Sequence, residues 1–314
     1  MKKIYIFIIL LLLLIIACFI PVSQQKSILI KSSFLNVFDQ LQNAENWKKW
    51  RPDLRKAAIA DSDKIETKTF PGSFIINYKD LALDVKLVEG SFKVSERNDT
   101  EDINYDMTVL PGKTSVNSLV AVKKWTSFIK YLADGLKDSI LKSTHVTDLK
   151  SFMETDSLFY GFNISKTRVP GDNLIEMRKA VLKKDKFVEA AKMKADLQQY
   201  MKTNNLKQIQ PLIAQFLQLS KDSDQVNVGF FIDKEIKPYK EIQFVRMPKG
   251  GPLYITKFNG KFNKRQKVYT ALHQYFTDHS YQRAILPFET YLDDKLPTTD
   301  TDKVNIIVNF TSYF

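Results

Sequence analysis

Hydrophobic residues follow three different patterns along the chain, and the first is an unbroken apolar run. Residues 4–22 contain no charged side chain and are preceded by Lys2 and Lys3. At ~1.5 Å per residue, a helix over this run is about 28 Å long. That length is close to the ~30 Å hydrocarbon core of a bilayer. The pattern therefore predicts a membrane segment over residues 1–23.

Two interpretations of this segment both lead to a membrane protein. As an uncleaved single-pass anchor, it keeps Lys2 and Lys3 in the cytoplasm and leaves the rest of the chain on the non-cytoplasmic side. As a cleaved signal, residues 15–18 resemble a relaxed bacterial lipobox, and Cys18 becomes the lipidated residue of a lipoprotein. The apolar run continues past Cys18 to Val22, which favours the anchor. A buried core helix is a third interpretation, disfavoured because no polar face interrupts the run.

The second pattern, from residue 24 to 156, alternates apolar and polar residues with the period of a half-buried strand. Helical spacing appears at Leu35, Phe38 and Leu41 and again over 139–153. Pro-Gly turns at 71–72 and 111–112 separate the segments. The predicted strands are 27–31, 73–78, 83–88, 91–94, 103–109 and 114–122. A strand, short helices, a meander and a closing helix predict an α+β domain.

This order resembles the START-like superfamily, also called SRPBCC or polyketide cyclase. The residues that carry the resemblance are 27–31, 37–41, 47–52 and 148–154. The resemblance implies a helix-grip fold, in which a curved sheet surrounds the closing helix and leaves an apolar cavity. Trp47 and Trp50 are candidates for the mouth of that cavity, and core packing under the sheet is the alternative.

The third pattern is an internal repeat over residues 158–314, with a spacing of about 75 to 78 residues. Residues 197–200 (LQQY) recur as 272–275 (LHQY), 216–217 (FL) as 291–292 (YL), and 226–228 (VNV) as 304–306 (VNI). Each unit predicts two strands, a helix and a closing strand. Duplicated units typically pack about a pseudo-twofold axis, with a cleft at the junction.

This half resembles the gyrase-inhibitor-like (GyrI-like) effector-binding domain, on residues 253–260, 275–276, 286–294 and 304–310. The resemblance implies a cleft for small, often aromatic and cationic molecules, in which an acidic residue compensates the charge of the ligand. Glu289 is the candidate acid, and Ile213 stands at roughly the corresponding point of the first repeat. The other candidate ligand-binding residues are Tyr254, Phe258, Tyr275 and Tyr291. The alternatives are a surface position for Glu289 and core packing for the aromatic residues.

Composition and charge narrow the chemistry further. The chain has one cysteine and three histidines without metal-ligand spacing, so neither a metal nor a cofactor is predicted. Most of the net charge of +12 lies in the second half. Such an excess fits a lysine-rich solvated surface or a contact with anionic lipid headgroups. Nucleic acid is not an expected partner, because no DNA-reading or RNA-reading motif accompanies the charge.

Together these features predict a membrane-tethered protein that binds a small hydrophobic or aromatic molecule and has no intrinsic catalysis. Membrane lipid is the second expected partner. An enzyme is the alternative, because some relatives of the GyrI-like fold hydrolyse strained electrophiles with a carboxylate and a tyrosine. Glu289 with Tyr275 or Tyr291 provides such a pair. A transcriptional regulator does not fit, since a START-like domain occupies the place of a DNA-binding region.

Overall fold

The computed structural model describes residues 21–99, 102–127 and 139–313. The chain divides into two compact units, Met1–Phe159 and Tyr160–Phe314. Each unit combines one antiparallel sheet with helices packed on it. This confirms the predicted α+β fold class, with a helix-grip unit followed by a duplicated one.

The first unit contains a seven-stranded sheet. Its strands are β1 (Pro21–Ile30), β2 (Glu66–Phe70), β3 (Ser73–Tyr78), β4 (Leu81–Val88), β5 (Ser91–Arg97), β6 (Asp102–Pro111) and β7 (Ser118–Ser127). β2 to β7 pair in sequence order as a meander, and β1 closes the sheet by pairing with β7. Alternation along β5 and β6 buries every second side chain, as the sequence pattern predicted.

Six helices of the first unit lie within its described residues. They are α1 (Phe34–Gln42), α2 (Ala44–Trp50), α3 (Pro52–Ala60), α4 (Ser139–Ser143), α5 (Val146–Met153) and α6 (Asp156–Phe159). The predicted closing helix over 139–153 is therefore two helices, because His145 adopts a left-handed backbone conformation between them (φ 55°). α5 packs on β1 and on α2, which gives the helix-grip arrangement.

Trp47 and Trp50 belong to the core of this unit. Their side chains are completely buried, and their rings pack against each other with centroids 4.6 Å apart. Each indole N–H donates to a backbone carbonyl, Trp47 to Leu41 at 2.9 Å and Trp50 to Gln40 at 3.2 Å. The core-packing alternative is thus the one that the structure shows for both tryptophans.

One inward position of β5 carries a charge. The alternation of this strand points Glu96 into the core, where its carboxylate accepts from both terminal nitrogens of Arg51, at 2.7 and 2.9 Å. Arg51 lies between α2 and α3, and both of these side chains are almost fully buried. Asp53 also accepts from Arg51, at 2.9 Å. The pair joins the helices to the sheet.

The predicted membrane anchor is corrected by the structure. Among the helices of the described residues, none is both long enough and apolar enough to cross a membrane. β1 takes up Pro21 and Val22, which the apolar run included, and pairs them with Ser127 and Thr126. Residues 4–20, with Cys18 of the lipoprotein alternative, lie outside the described residues. The single-pass membrane localisation is therefore not retained.

The second unit is built from two halves of the same design. Its elements are β8 (Ser165–Arg168), β9 (Asn173–Leu182), α7 (Lys186–Thr203), β10 (Ile213–Gln218), β11 (Ser223–Phe231), β12 (Gln243–Arg246), β13 (Pro252–Lys261), α8 (Gln266–Asp278), β14 (Phe288–Tyr291) and β15 (Lys303–Thr311). The single eight-stranded sheet has the order β12-β9-β11-β10-β14-β15-β13-β8. Counted inward from the two edges, the strands form equivalent pairs: β12 with β8, β9 with β13, β11 with β15, and β10 with β14. A pseudo-twofold axis therefore passes between β10 and β14.

The strand register refines the predicted repeat. Each half has two strands after its helix, where the sequence predicted one. Ile213 pairs with Gly229 in the first half, and Phe288 pairs with Asn309 in the second. Ala214, rather than Ile213, therefore occupies the place of Glu289, and the two residues face each other across the β10–β14 pair. The predicted match of 226–228 with 304–306 is two residues out of register.

A test of the first unit uses its buried ion pair. Glu96→Gln removes the buried one of the two carboxylates that compensate Arg51 and leaves the more exposed Asp53, so we expect the free energy of unfolding to fall by about 3 kcal/mol. Asp102→Asn is the control, because Asp102 pairs with the exposed Arg97 at 3.5 Å and this contact is screened by water. Urea denaturation measures both variants. Equal, small losses would show that the Arg51–Glu96 pair does not hold the helices to the sheet.

Candidate functional site

Glu289 lies on β14 with no solvent exposure, on the face of the sheet that α8 covers. Arg265 donates from Nε to its Oε1 at 2.5 Å, and the Tyr269 hydroxyl donates to the same oxygen at 2.9 Å. The Tyr291 hydroxyl donates to Oε2 at 2.6 Å. We call these four side chains the Glu289 cluster. A surface position for Glu289 is excluded.

Local periodicity places the members of this cluster side by side. Glu289 and Tyr291 are two residues apart on one strand and so share a face of the sheet. Arg265 stands at the start of α8 and Tyr269 follows four residues later, which puts both on one side of the helix. Packing α8 over β14 therefore brings a cation and two phenols to one carboxylate.

Burial determines the protonation states in the cluster. Loss of solvation raises the pKa of Tyr269 and Tyr291 well above 10, and the charge of Glu289 raises it further. Both phenols are therefore neutral donors near neutral pH. Burial on its own would lower the pKa of Arg265, but the charge of Glu289 and their hydrogen bond raise it overall. Arg265 is a permanent cation at this position.

Aromatic rings surround the guanidinium of Arg265. Its central carbon lies 3.5 Å from the ring centroid of Phe262 and 6.0 Å from that of Phe216. Phe187 joins these two rings at centroid distances of 5.3 and 5.7 Å. A cation over aromatic faces and beside a carboxylate is held by both charge and ring quadrupole. We call the three phenylalanines the ring wall.

The other half of the unit repeats the cation with different partners. Lys186 follows a 3-10 turn at Lys183–Asp185, as Arg265 follows one at Phe262–Lys264, and Lys186 is buried. Its Nζ lies 2.8 Å from Asp300 and 4.7 Å from the ring centroid of Phe187. The position equivalent to Glu289 is Ala214, and the second carboxylate near Lys186 is the buried Asp224 of β11, at 3.9 Å. Glu289 therefore has no acidic counterpart at its own position in the first half.

Two other predicted residues form a separate group. Tyr254 on β13 and Tyr275 on α8 lie with ring centroids 5.8 Å apart, and Tyr281 packs on Tyr254 at 5.0 Å. Tyr275 also stacks on His279 at 4.1 Å. This group connects to the Glu289 cluster through Phe276 and Phe310, which contact Tyr254 and Tyr269 respectively.

The predicted site residues therefore divide between these groups. Glu289 and Tyr291 share one cluster, Tyr254 and Tyr275 share the other, and Phe258 is a partly buried residue of the same core. Their role in binding stays a prediction. Arg265, Tyr269 and the ring wall were missed. The i, i+4 spacing of Arg265 and Tyr269 was the available signal, but it shows only a shared helix face, whose target depends on tertiary packing.

The raised pKa values predict how stability changes with pH. A phenol with a raised folded-state pKa contributes its full stability below pH 10, and this contribution is lost as pH rises beyond that value. Above pH 10 we expect the free energy of unfolding to fall more steeply in the wild type than in Tyr269→Phe/Tyr291→Phe. The difference is up to about 1.4 kcal/mol per pH unit for each phenol. Urea denaturation at stepped pH measures it, and parallel slopes would contradict the assignment.

Comparison with known proteins gives structural similarity only. No protein-family model matches the chain, and no curated protein matches it. A solved EcmrR–DNA complex is 14% identical, over 59% of this chain and 75% of that chain, with a TM-score of 0.40. The EcmrR C-terminal domain is 16% identical, over 48% and 97%, with a TM-score of 0.39. A START superfamily protein from Mycobacterium smegmatis is 11% identical, over 42% and 97%, with a TM-score of 0.29.

Proposed function

We propose that the second unit binds a small planar cation at Glu289, and that Arg265 takes the place of this ligand in the closed site. The observation that carries the proposal is a fully buried carboxylate whose cationic partner, Arg265, lies against aromatic rings. The guanidinium of Arg265 is held here by an ion pair and by cation–π contacts. The same two interactions would bind an aromatic amidinium or a guanidinium ligand.

The accessibility of the two charges supports exchange. The Glu289 side chain has no exposure, whereas the side chain of Arg265 is 14% exposed and begins at the start of α8. Arg265 therefore lies nearer to solvent than the carboxylate it covers. Rotation of its side-chain torsions alone would carry the guanidinium outward. A ligand cation then has the ring wall and Glu289 as its recognition surface.

The neutral phenols support a cationic ligand over an anionic one. The hydroxyls of Tyr269 and Tyr291 each donate a hydrogen bond to the carboxylate of Glu289. An anion entering this space would be repelled by a buried carboxylate. This repulsion is larger than the attraction of distant surface lysines, because water and salt screen the lysines. The basic surface of the unit therefore does not determine the charge preference inside it.

We further propose that residues 24–156 and 158–314 act as separate domains, with the second containing the binding site. The division of the chain between Phe159 and Tyr160 supports these boundaries. Both units have their own hydrophobic clusters, which is what independent folding requires.

Hydrolysis of a strained electrophile is a second candidate function, favoured by the 2.6 Å hydrogen bond between Tyr291 and Glu289. With Arg265 displaced, Glu289 would take a proton from water. That water would open an epoxide, and a tyrosine hydroxyl would protonate the leaving oxygen to give a diol. Time-dependent formation of diol from styrene oxide, lost in Glu289→Gln, would favour this function over binding alone.

The binding proposal predicts that Arg265→Ala opens a site for an external cation. Removing Arg265 leaves Glu289 buried without a counter-ion, so we expect a large loss of stability. Benzamidine, a planar amidinium, should restore much of it and should bind Arg265→Ala at least about tenfold more tightly than the wild type, an effect of about 1.4 kcal/mol. Thermal shift and isothermal titration calorimetry measure the two effects.

Matched controls separate this effect from general charge. Lys264→Ala removes an exposed neighbouring charge that makes no contact with Glu289 and should leave benzamidine binding at the wild-type level. Benzamide has the same shape without the charge and should not stabilise Arg265→Ala. Adding Glu289→Gln to Arg265→Ala should abolish the benzamidine response. A response that persists in this double variant would remove Glu289 from the site.

A further inference from the structure

A second apolar layer lies on the face of the eight-stranded sheet that points away from α7 and α8. On β9, β13 and β14, residues that alternate with the helix-facing ones point to this side. Leu174, Leu253 and Phe288 are three of them, and together with Ile213 they belong to a buried cluster separate from the main core. This layer takes no part in the Glu289 cluster.

Two cavities open in this layer, one on each side of the β10–β14 pair. The first has a volume of about 160 Å³ and the second about 250 Å³. Both are bounded by Ile213 and Phe288, which are equivalent residues of the two halves. Leu174 lines the first cavity, and its equivalent Leu253 lines the second. The cavities are therefore mates about the pseudo-twofold axis, so the duplicated fold itself creates them.

The two cavities differ in charge. The first contains Glu176, nearly buried, with Arg178 at 2.9 Å, so its charges cancel locally. In the second, Ile255 takes the place of Glu176. Among the residues that line the second cavity, Arg168 is the one charged side chain. An apolar cavity with a single cation at its edge favours an apolar ligand with a negative group.

Arg168 has donors to spare for such a ligand. It lies exposed on β8, and one terminal nitrogen donates to the carbonyl of Gly250 at 3.1 Å. No carboxylate of the described residues forms an ion pair with it. The planar fork of a guanidinium matches the two oxygens of a carboxylate, and such bonds are stronger than neutral ones.

From this geometry we infer that the second cavity is a binding site for a small apolar carboxylate, distinct from the proposed cation site at Glu289. The hydrocarbon part packs on Leu253, Phe288 and Ile307, and the carboxylate binds to Arg168. Apolar contact provides affinity in proportion to the area that leaves water, and the single charge pair provides orientation. The basic character of this half of the chain attracts the anion from a distance.

The chain offers a matched pair of variants for the test. Arg246 ends β12 as Arg168 ends β8, but it pairs with Glu235 and lines neither cavity. With the full chain and 4-phenylbutyrate as the probe, we expect Arg168→Gln to weaken binding by at least about tenfold. Arg246→Gln should bind like the wild type. Isothermal titration calorimetry at two salt concentrations measures the affinities, which should fall with salt for the wild type and Arg246→Gln and change little for Arg168→Gln.

Further probes and a blocking variant complete the test. Leu292 lines the same cavity and is 40% exposed, so Leu292→Trp fills the entrance without burdening the core, and it should abolish binding. The neutral 4-phenylbutanamide should bind weakly and equally to wild type and Arg168→Gln. Benzamidine should not compete with 4-phenylbutyrate, which keeps this inference separable from the proposed function.

Several outcomes would overturn the inference. They are absence of 4-phenylbutyrate binding to the wild type, unchanged affinity in Arg168→Gln, equal losses in Arg168→Gln and Arg246→Gln, and binding retained in Leu292→Trp. Equal affinity for 4-phenylbutylamine would remove the assigned charge preference. Competition between benzamidine and 4-phenylbutyrate would show that 4-phenylbutyrate binds at the Glu289 cluster and not in the second cavity.

Discussion

Glu289 has its charge at a position without solvent, and the arrangement of the second half of this protein follows from the need to compensate that charge. A buried carboxylate is tolerated only when a counter-ion and hydrogen-bond donors surround it. Arg265, Tyr269 and Tyr291 meet this need together. Two of these donors come from α8, so the carboxylate also determines how that helix lies on the sheet. The first unit uses the same device, since Glu96 on its sheet pairs with Arg51 between two helices.

Duplication gives the second unit two copies of one backbone, and substitutions on that backbone give the copies different chemistry. Ala214 and Glu289 face each other across the pseudo-twofold axis, so a symmetric pair of strands has an acid on one side only. On the opposite face, Glu176 and Ile255 occupy equivalent positions and give one cavity a neutral ion pair and the other an apolar wall. In the two proposed sites, each asymmetry places a charged group in one half that its equivalent position in the other half lacks. The fold provides the space, and a few side chains decide what can enter it.

The two proposed sites differ in the ligand charge they would accept, and local electrostatics is the reason in both cases. Inside the helix-covered face, a desolvated carboxylate dominates because nearby buried charges act with little screening. Arg168 lines the second cavity, and no carboxylate of the described part of the chain forms an ion pair with it, so in the proposed site its charge is available to an anion. The excess of basic residues on the surface affects how fast a charged ligand approaches the protein, and not which ligand the buried groups would select. A basic protein can therefore hold a site for a cation.

The sequence by itself determined the elements whose signal is local. Alternation located most strands of the first unit, because it depends on residues close in the chain, and self-similarity revealed the duplication of the second. The sequence also predicted Glu289 as the candidate acid of a cleft and Tyr291, two residues away, as a candidate partner. Tertiary structure decided the rest. β10 and β14 are too short for periodicity to separate their faces, the partners of Glu289 lie 20 and 24 residues away on another element, and only the sheet register showed Ala214 as its counterpart. An apolar run shows hydrophobicity but not conformation, so Pro21 and Val22 were assigned to an anchor although pairing with β7 makes them part of a strand.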